Sequence, residues 1–174
     1  IGAGSNLLVK EGSINKIFLH LNQPYFTKIR ICGDRVYVGA GVRIGRLISC
    51  LNSKNLGGYE FLAGIPGTIG GALAMNAGAR NDTSRTSSWR EMKDILVCAQ
   101  VCDRSGRVAK LCQDDIKFTY RHSSLRNFII LCAELKLQRA PRKSVQARIR
   151  NNLTQRIFSQ DWSHPSAGSF FKNP

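Results

Sequence analysis

Short apolar runs separated by turn residues fill the first third of the chain, at residues 7–9, 17–21, 29–32 and 36–38. This pattern predicts short strands, and Gly33-Asp34 between the last two reads as a hairpin turn. From residue 43 to 55 the period changes. Ile44, Leu47, Ile48 and Leu51 recur at helical spacing, and Gly57-Gly58 supplies a stop. Residues 80–90 are polar and turn-rich and read as a loop. Residues 95–101 form the strongest strand candidate, turned back at Ser105-Gly106 into a second strand at 108–111. A short helical turn fits 114–118, and residues 128–137 alternate as a strand packed on a core does. Pro141 marks a boundary, after which an Arg-rich helix is predicted from about 144 to 158. No internal repeat is visible, and the mixture of elements predicts an α+β fold.

One segment fits neither periodicity. Glu60-Phe-Leu-Ala-Gly-Ile-Pro-Gly-Thr-Ile-Gly-Gly-Ala-Leu-Ala-Met-Asn-Ala-Gly-Ala79 places five glycines and a proline among apolar residues with almost no charge. Glycine lets the backbone approach a partner closely, and successive exposed amides make a concavity suited to phosphate. A packing seam between helix and sheet explains the same composition, and both readings stand at this point.

Composition narrows the partners. The 26 Lys and Arg outnumber 11 acidic residues, for a formal net charge of +15. Nucleic acid is one explanation, but the basic residues are dispersed apart from 139–156, and aromatics are not interleaved with them for base stacking. A multiply phosphorylated small ligand would also favour positive potential. The six cysteines form no CxxC pair and no cluster with zinc spacing, so no metal site is expected. They read as small buried hydrophobes in a reducing cytoplasm, with Cys98 and Cys102 on one face of their strand. No run of about 18 apolar residues suggests a membrane span. Ile1 follows no initiator Met and opens on what reads as the end of a strand, so a piece of a longer protein, cut at both ends, is expected.

Three further motifs carry chemistry. Gly2-Ala-Gly4-Ser5-Asn6 is a second candidate phosphate loop. It lacks the lysine of a Walker loop, and no GxGxxG opens a helix, which disfavours a nucleoside triphosphatase or a Rossmann dehydrogenase. Two separate glycine loops suit one extended ligand with a pyrophosphate in its middle. Tyr120-Arg121-His122-Ser123 offers a guanidinium that can fork onto a carboxylate or phosphate, although an Arg at a strand margin can also be plain surface. His122 reads as a solvent-facing or packing residue. Pro165-Ser-Ala-Gly-Ser-Phe-Phe-Lys-Asn-Pro174 has no nucleophile elbow around Ser169, which leaves that serine as a proton donor or as part of a loop packed by Phe170 and Phe171.

Taken in order, these four motifs resemble those of the UDP-N-acetylenolpyruvoylglucosamine reductases, the MurB flavoenzymes of peptidoglycan precursor synthesis, over the whole of 1–174. The resemblance implies an FAD-binding domain of the vanillyl-alcohol-oxidase (PCMH) type over 1–139, followed at 140–174 by the start of a MurB-type substrate-binding domain. It implies that FAD lies against Gly4, Ser5, Asn6 and Leu7 and against Gly64, Ile65, Pro66, Gly67, Gly70 and Gly71, with Asn76, Ala77 and Gly78 approaching the same cofactor. In such enzymes NADPH reduces FAD, and the enolpyruvyl group of UDP-N-acetylglucosamine enolpyruvate then accepts hydride. Arg121 matches the catalytic arginine and Ser169 the proton donor, while Tyr120, Arg121, Lys172 and Asn173 match substrate-pocket positions. The short segment after Arg121 looks like the branch lacking a long tyrosine-bearing insertion. Departures are specific. The third catalytic residue, a glutamate, would lie past Pro174, so residues 1–174 by themselves are expected to be inactive; Arg80-Asn81 stands where the family has Tyr-Gly; and Asp161 replaces a proline. A monomer in the cytoplasm, with no nucleic-acid or membrane partner, is the expectation. Another flavoprotein of this fold, or a basic nucleic-acid-binding protein, are the alternatives.

Overall fold

The computed structural model describes residues 1–83 and 86–159, of which 80–83 and 86–88 are described by their backbone alone. Its centre is an antiparallel sheet of five strands, β1 (Ile29–Cys32), β2 (Arg35–Gly39), β6 (Leu96–Cys102), β7 (Val108–Cys112) and β10 (Ile129–Lys136), in the order β1-β2-β10-β6-β7. Two hairpins thus flank β10, which lies between β2 and β6. One face is apolar: Val36, Val38, Leu96, Ala99, Val101, Ile130, Ala133 and Leu135 are all buried. Strict alternation would point Ile130 and Ala133 to opposite faces, but an irregularity between Ile130 and Cys132 resets the phase and keeps both in the core.

The apolar face is covered by α1 (Ile44–Leu51) and α2 (Ile69–Ala74). Ile44, Leu47 and Leu51 of α1 and Ile69, Ala72 and Leu73 of α2 are buried at helical spacing. Thr68 caps α2, its Oγ1 accepting from the Gly71 amide at 3.3 Å. The start of α2 is tied to the chain after β2 by Gly70 N–H donating to Ala40 O at 2.8 Å. A Cβ on Gly70 would stand 2.9 Å from Ala40 Cβ, so this glycine lets helix and sheet touch. The packing-seam reading therefore holds for this part of the glycine-rich segment.

The opposite face carries Arg30, Tyr37, Glu134, Gln100 and Lys110, as well as five of the six cysteines: Cys32, Cys98, Cys102, Cys112 and Cys132. Only Cys98 is buried, while Cys32 and Cys112 are exposed, which corrects the expectation of six buried thiols. Arg35 pairs with Glu134 on this face and holds that carboxyl below its ordinary range.

Three further expectations are revised. Residues 7–9 and 17–21 form no strand: Leu8 is 82% and Ile17 91% exposed, and no neighbouring strand among the described residues offers them a ladder. α1 ends at Leu51, and Asn55 at φ 51° turns the chain into β3 (Leu56–Gly57), which pairs with β11 (Gln138–Arg139). The polar stretch read as a loop is a ribbon of β4 (Gly78–Thr83) and β5 (Thr86–Glu91), in register from Gly78 opposite Glu91 to Thr83 opposite Thr86. A two-stranded ribbon is held by the inward-facing half of its backbone groups, which pair whatever the side chains are, so no apolar alternation is needed to form it. Its base is held by Met92 N–H donating to Ala77 O at 2.9 Å and by the Asn76–Glu91 hydrogen bond.

The last described element is α3 (Arg142–Ser159), close to the predicted span. Val145, Arg148 and Asn152 share one face of it and lie against residues 60–64. Arg148 donates to Glu60 Oε1 from Nε at 2.9 Å and from Nη2 at 2.6 Å, and Asn152 Nδ2 donates to the Glu60 carbonyl at 2.8 Å. Glu60 is 1% exposed, and its other oxygen accepts from Gly58 N–H at 2.6 Å. No helix among the described residues is long and apolar enough to cross a membrane.

Candidate functional site

Ser5 Oγ donates to Pro66 O at 3.3 Å, and this contact joins the two glycine loops that the sequence singled out. Gly67 adopts φ +121°, which favours glycine, and a Cβ there would crowd Ser5 Oγ at 3.0 Å. Around the junction opens a cavity of about 370 Å³. Residues 1–7 form one wall, residues 65–68 with Gly71, Ala72 and Ala74 of α2 and Met75 just after it form the next, and Ala77, Gly78, Arg121 and Arg156 complete it.

Gly4, Ser5, Asn6, Leu7, Ile65, Pro66, Gly67, Gly71, Ala77 and Gly78 are thus brought together on one cavity. Gly64, Gly70 and Asn76 stand behind its wall. Gly70 packs on Ala40, as above. Asn76 is fully buried at φ 42°; its Nδ2 donates to Glu91 Oε2 at 2.9 Å and to Thr119 O at 3.2 Å, and its Oδ1 accepts from Lys93 N–H at 3.2 Å. It joins the end of α2 to the ribbon and to the next hairpin. Ser169, Lys172 and Asn173 lie outside the described residues.

Arg121 is presented by a tight turn. β8 (Phe118–Thr119) and β9 (His122–Ser123) pair around Tyr120-Arg121, and Arg121 takes φ 54°. A side chain in the left-handed region costs about 1–2 kcal/mol where glycine would cost nothing. The contacts of the arginine side chain offset that cost. Its Nη1 donates to Gly78 O at 2.9 Å, and its Cζ lies 5.1 Å from the ring centroids of both Trp89 and Tyr120. Cation–π contact on two rings fixes the guanidinium plane. No carboxylate pairs with it among the described residues, so its charge is available to a ligand. Behind the turn, Ser123 Oγ donates to Leu73 O at 2.7 Å and anchors β9 to α2. His122 takes the packing role, half-buried in the β8–β9 pair.

Two side chains escaped the sequence reading. Trp89 is the backbone partner of Arg80 across the ribbon, so an aromatic stands opposite the position where the motif departs from Tyr-Gly. It was hidden in a stretch read as loop. Arg156 lines the cavity from α3, and burial first, then the charge of Arg121, pull its pKa down. The steps of three and four from Val145 through Arg148 and Asn152 to Arg156 were the signal that could have found it. Among the described residues, no group of three or more His, Cys, Asp and Glu side chains is placed to hold a metal ion.

A cavity walled by small apolar residues, with two amide-rich loops in contact and two guanidinium groups, suits an extended ligand that is aromatic at one part and anionic at another. Residues 1–111 match the family model of the FAD binding domain. The chain belongs to this family of FAD-binding proteins, and the α+β architecture agrees with it. Over its full length it is also similar to the UDP-N-acetylenolpyruvoylglucosamine reductases of Bacillus velezensis, at 38% identity across 177 residues, and of Clostridium tetani, at 36% across 176. Those alignments cover 55% and 54% of the relatives, so the chain spans about half the length of the curated proteins it matches. The crystal structure of the UDP-N-acetylenolpyruvylglucosamine reductase (MurB) from Thermus caldophilus superposes with a TM-score of 0.66 at 32% identity, over 79% of this chain and 48% of that one.

Proposed function

We propose that the protein acts in the NADPH-dependent reduction of UDP-N-acetylglucosamine enolpyruvate to UDP-N-acetylmuramate, a step of peptidoglycan precursor synthesis in the cytoplasm. The observation that carries this reading is Arg121: a guanidinium in contact with two neighbouring rings, without a carboxylate partner among the described residues, on the wall shared by both glycine loops. Similarity to the reductases over 100% of the chain supports it. FAD, when bound, supplies the hydride. Addition to the enolpyruvyl double bond builds negative charge next to the substrate carboxylate, and the fixed cation of Arg121 stabilises that charge. Ser169 delivers the proton that completes the lactyl ether. Tyr120, Lys172 and Asn173 orient the substrate, and the amides of residues 4–7 and 65–67 hold the cofactor. The protein works as a monomer in this reading.

The test is spectroscopic. At its full length, the purified protein is expected to carry or take up FAD, with its visible absorption, and to oxidise NADPH when given the enolpyruvyl sugar nucleotide. A protein that binds FAD yet ignores this substrate belongs to another flavin-dependent oxidation of the same fold. Ser169→Ala is expected to leave flavin reduction by NADPH nearly intact and to slow substrate reduction by about a hundredfold or more. Equal loss in both half-reactions would remove Ser169 from the proton-donor role.

A further inference from the structure

Among the described residues of α3, Arg156 alone lines the FAD cavity, and it is brought there along a fixed track. Val145, Arg148, Asn152 and Arg156 fall on one face of the helix. The first is buried, and the next two are tied to Glu60. Arg156 then crosses the chain at Gly64, whose carbonyl accepts from its Nη1 at 3.5 Å. Gly64 sits at φ +78°, and a Cβ there would stand 2.6 Å from Arg156 Cδ and 3.3 Å from its Nε. The bare position at Gly64 is thus the passage for an arginine, a second use of a glycine that its motif suggests for ligand approach.

The crossing lies two residues from Pro66, where Ser5 joins the loops. Arg156 and Arg121 face the same cavity, where their like charges repel and a bound anion at either relieves the repulsion. We propose that Arg156 is a binding residue for the dianionic pyrophosphate of FAD, reaching the phosphates from the Gly64 side while the loop amides hold them from the other. Arg121 is left to the substrate end of the cavity. This rests on FAD occupying the cavity and not on the identity of the substrate.

The experiment is a fluorescence titration of the flavin-free protein with FAD and with riboflavin, which has the ring system and no phosphate. Arg156→Gln is expected to weaken FAD by about tenfold or more, the scale of one lost charge-assisted hydrogen bond, and to leave riboflavin binding unchanged. Arg156→Lys should keep part of the FAD affinity, and the salt dependence of FAD binding should flatten in the glutamine variant. Circular dichroism of each variant reports whether α3 is intact. Unchanged FAD affinity in Arg156→Gln, or equal weakening of FAD and riboflavin, would overturn the assignment. A wild-type protein that binds no FAD would remove the cofactor reading beneath it.

Discussion

Single side chains in this molecule take positions that their own preferences oppose, and those positions mark the site. Arg121 occupies a left-handed turn where glycine would be relaxed, and Asn76 is buried at positive φ with both ends of its amide bonded. The identities of both were visible in the sequence, but their division of labour was not. A motif lists Asn76 beside the glycines, and only the fold shows it bracing the wall from behind. Tyr59 is a different case. Its ring is fully buried, and its hydroxyl has no hydrogen-bond partner among the described residues. Burial, reinforced by the charge of Glu60, pushes its pKa up to about 12. Because the folded state holds the phenol's proton more tightly, stability is unaffected by this group below its unfolded value of 10.0 and falls as pH climbs from there towards about 12. Tyr59→Phe is therefore expected to raise stability at neutral pH by about 1 kcal/mol, by removing an unpaired buried hydroxyl. It should also flatten the alkaline limb. Urea titrations at pH 7.5 and near pH 11 check both, and a loss of stability at neutral pH would show that the hydroxyl does have a partner.

At the scale of elements, what the sequence disclosed follows from where an apolar pattern was needed. The inner strands β2, β6 and β10 of the central sheet and α1 bury one face each, so their periodicity was readable. The ribbon β4–β5 is polar along most of its sequence and spoke only through that polarity, which is the signature of a loop as well. The error at residues 7–9 and 17–21 ran the other way, since an apolar run says nothing about whether a pairing edge exists. α3 illustrates a third situation. It has little apolar surface of its own, with Val145 its buried hydrophobe, and it is held by Glu60 through Arg148 and Asn152. Stripping the carboxylate from that buried pair leaves a cation without its partner, which costs about 3–5 kcal/mol. Glu60→Gln should lower stability by an amount of that order and speed hydrogen exchange along α3 more than in the central sheet. Uniform acceleration everywhere would mean that Glu60 serves the core as a whole and not the docking of one helix.

For the whole molecule, the order of four motifs led to the fold class although no single one could, because only the fold brings two glycine loops and Arg121 to one cavity. The +15 charge does not discriminate in the same way, since of the 26 Lys and Arg only Arg121 and Arg156 among the described residues line the cavity. Ligand linkage does discriminate. A cofactor that binds the folded state alone adds about 2.7 kcal/mol at a hundred times its dissociation constant, which for a chain of this size raises the melting temperature by roughly 5–10 °C. Differential scanning fluorimetry with FAD, and with an equal concentration of a DNA oligonucleotide, should show that shift for FAD only; the reverse result would favour the nucleic-acid alternative. The thiol-bearing face of the central sheet has a use of its own. Cys32 and Cys112 stand open to reagent, while Cys98 is covered and its thiol is pushed up in pKa by burial. Timed alkylation read by mass spectrometry should label the first two at once and Cys98 only as fast as β6 peels away from its neighbours, so that the protein carries its own clock for the opening of its innermost strands.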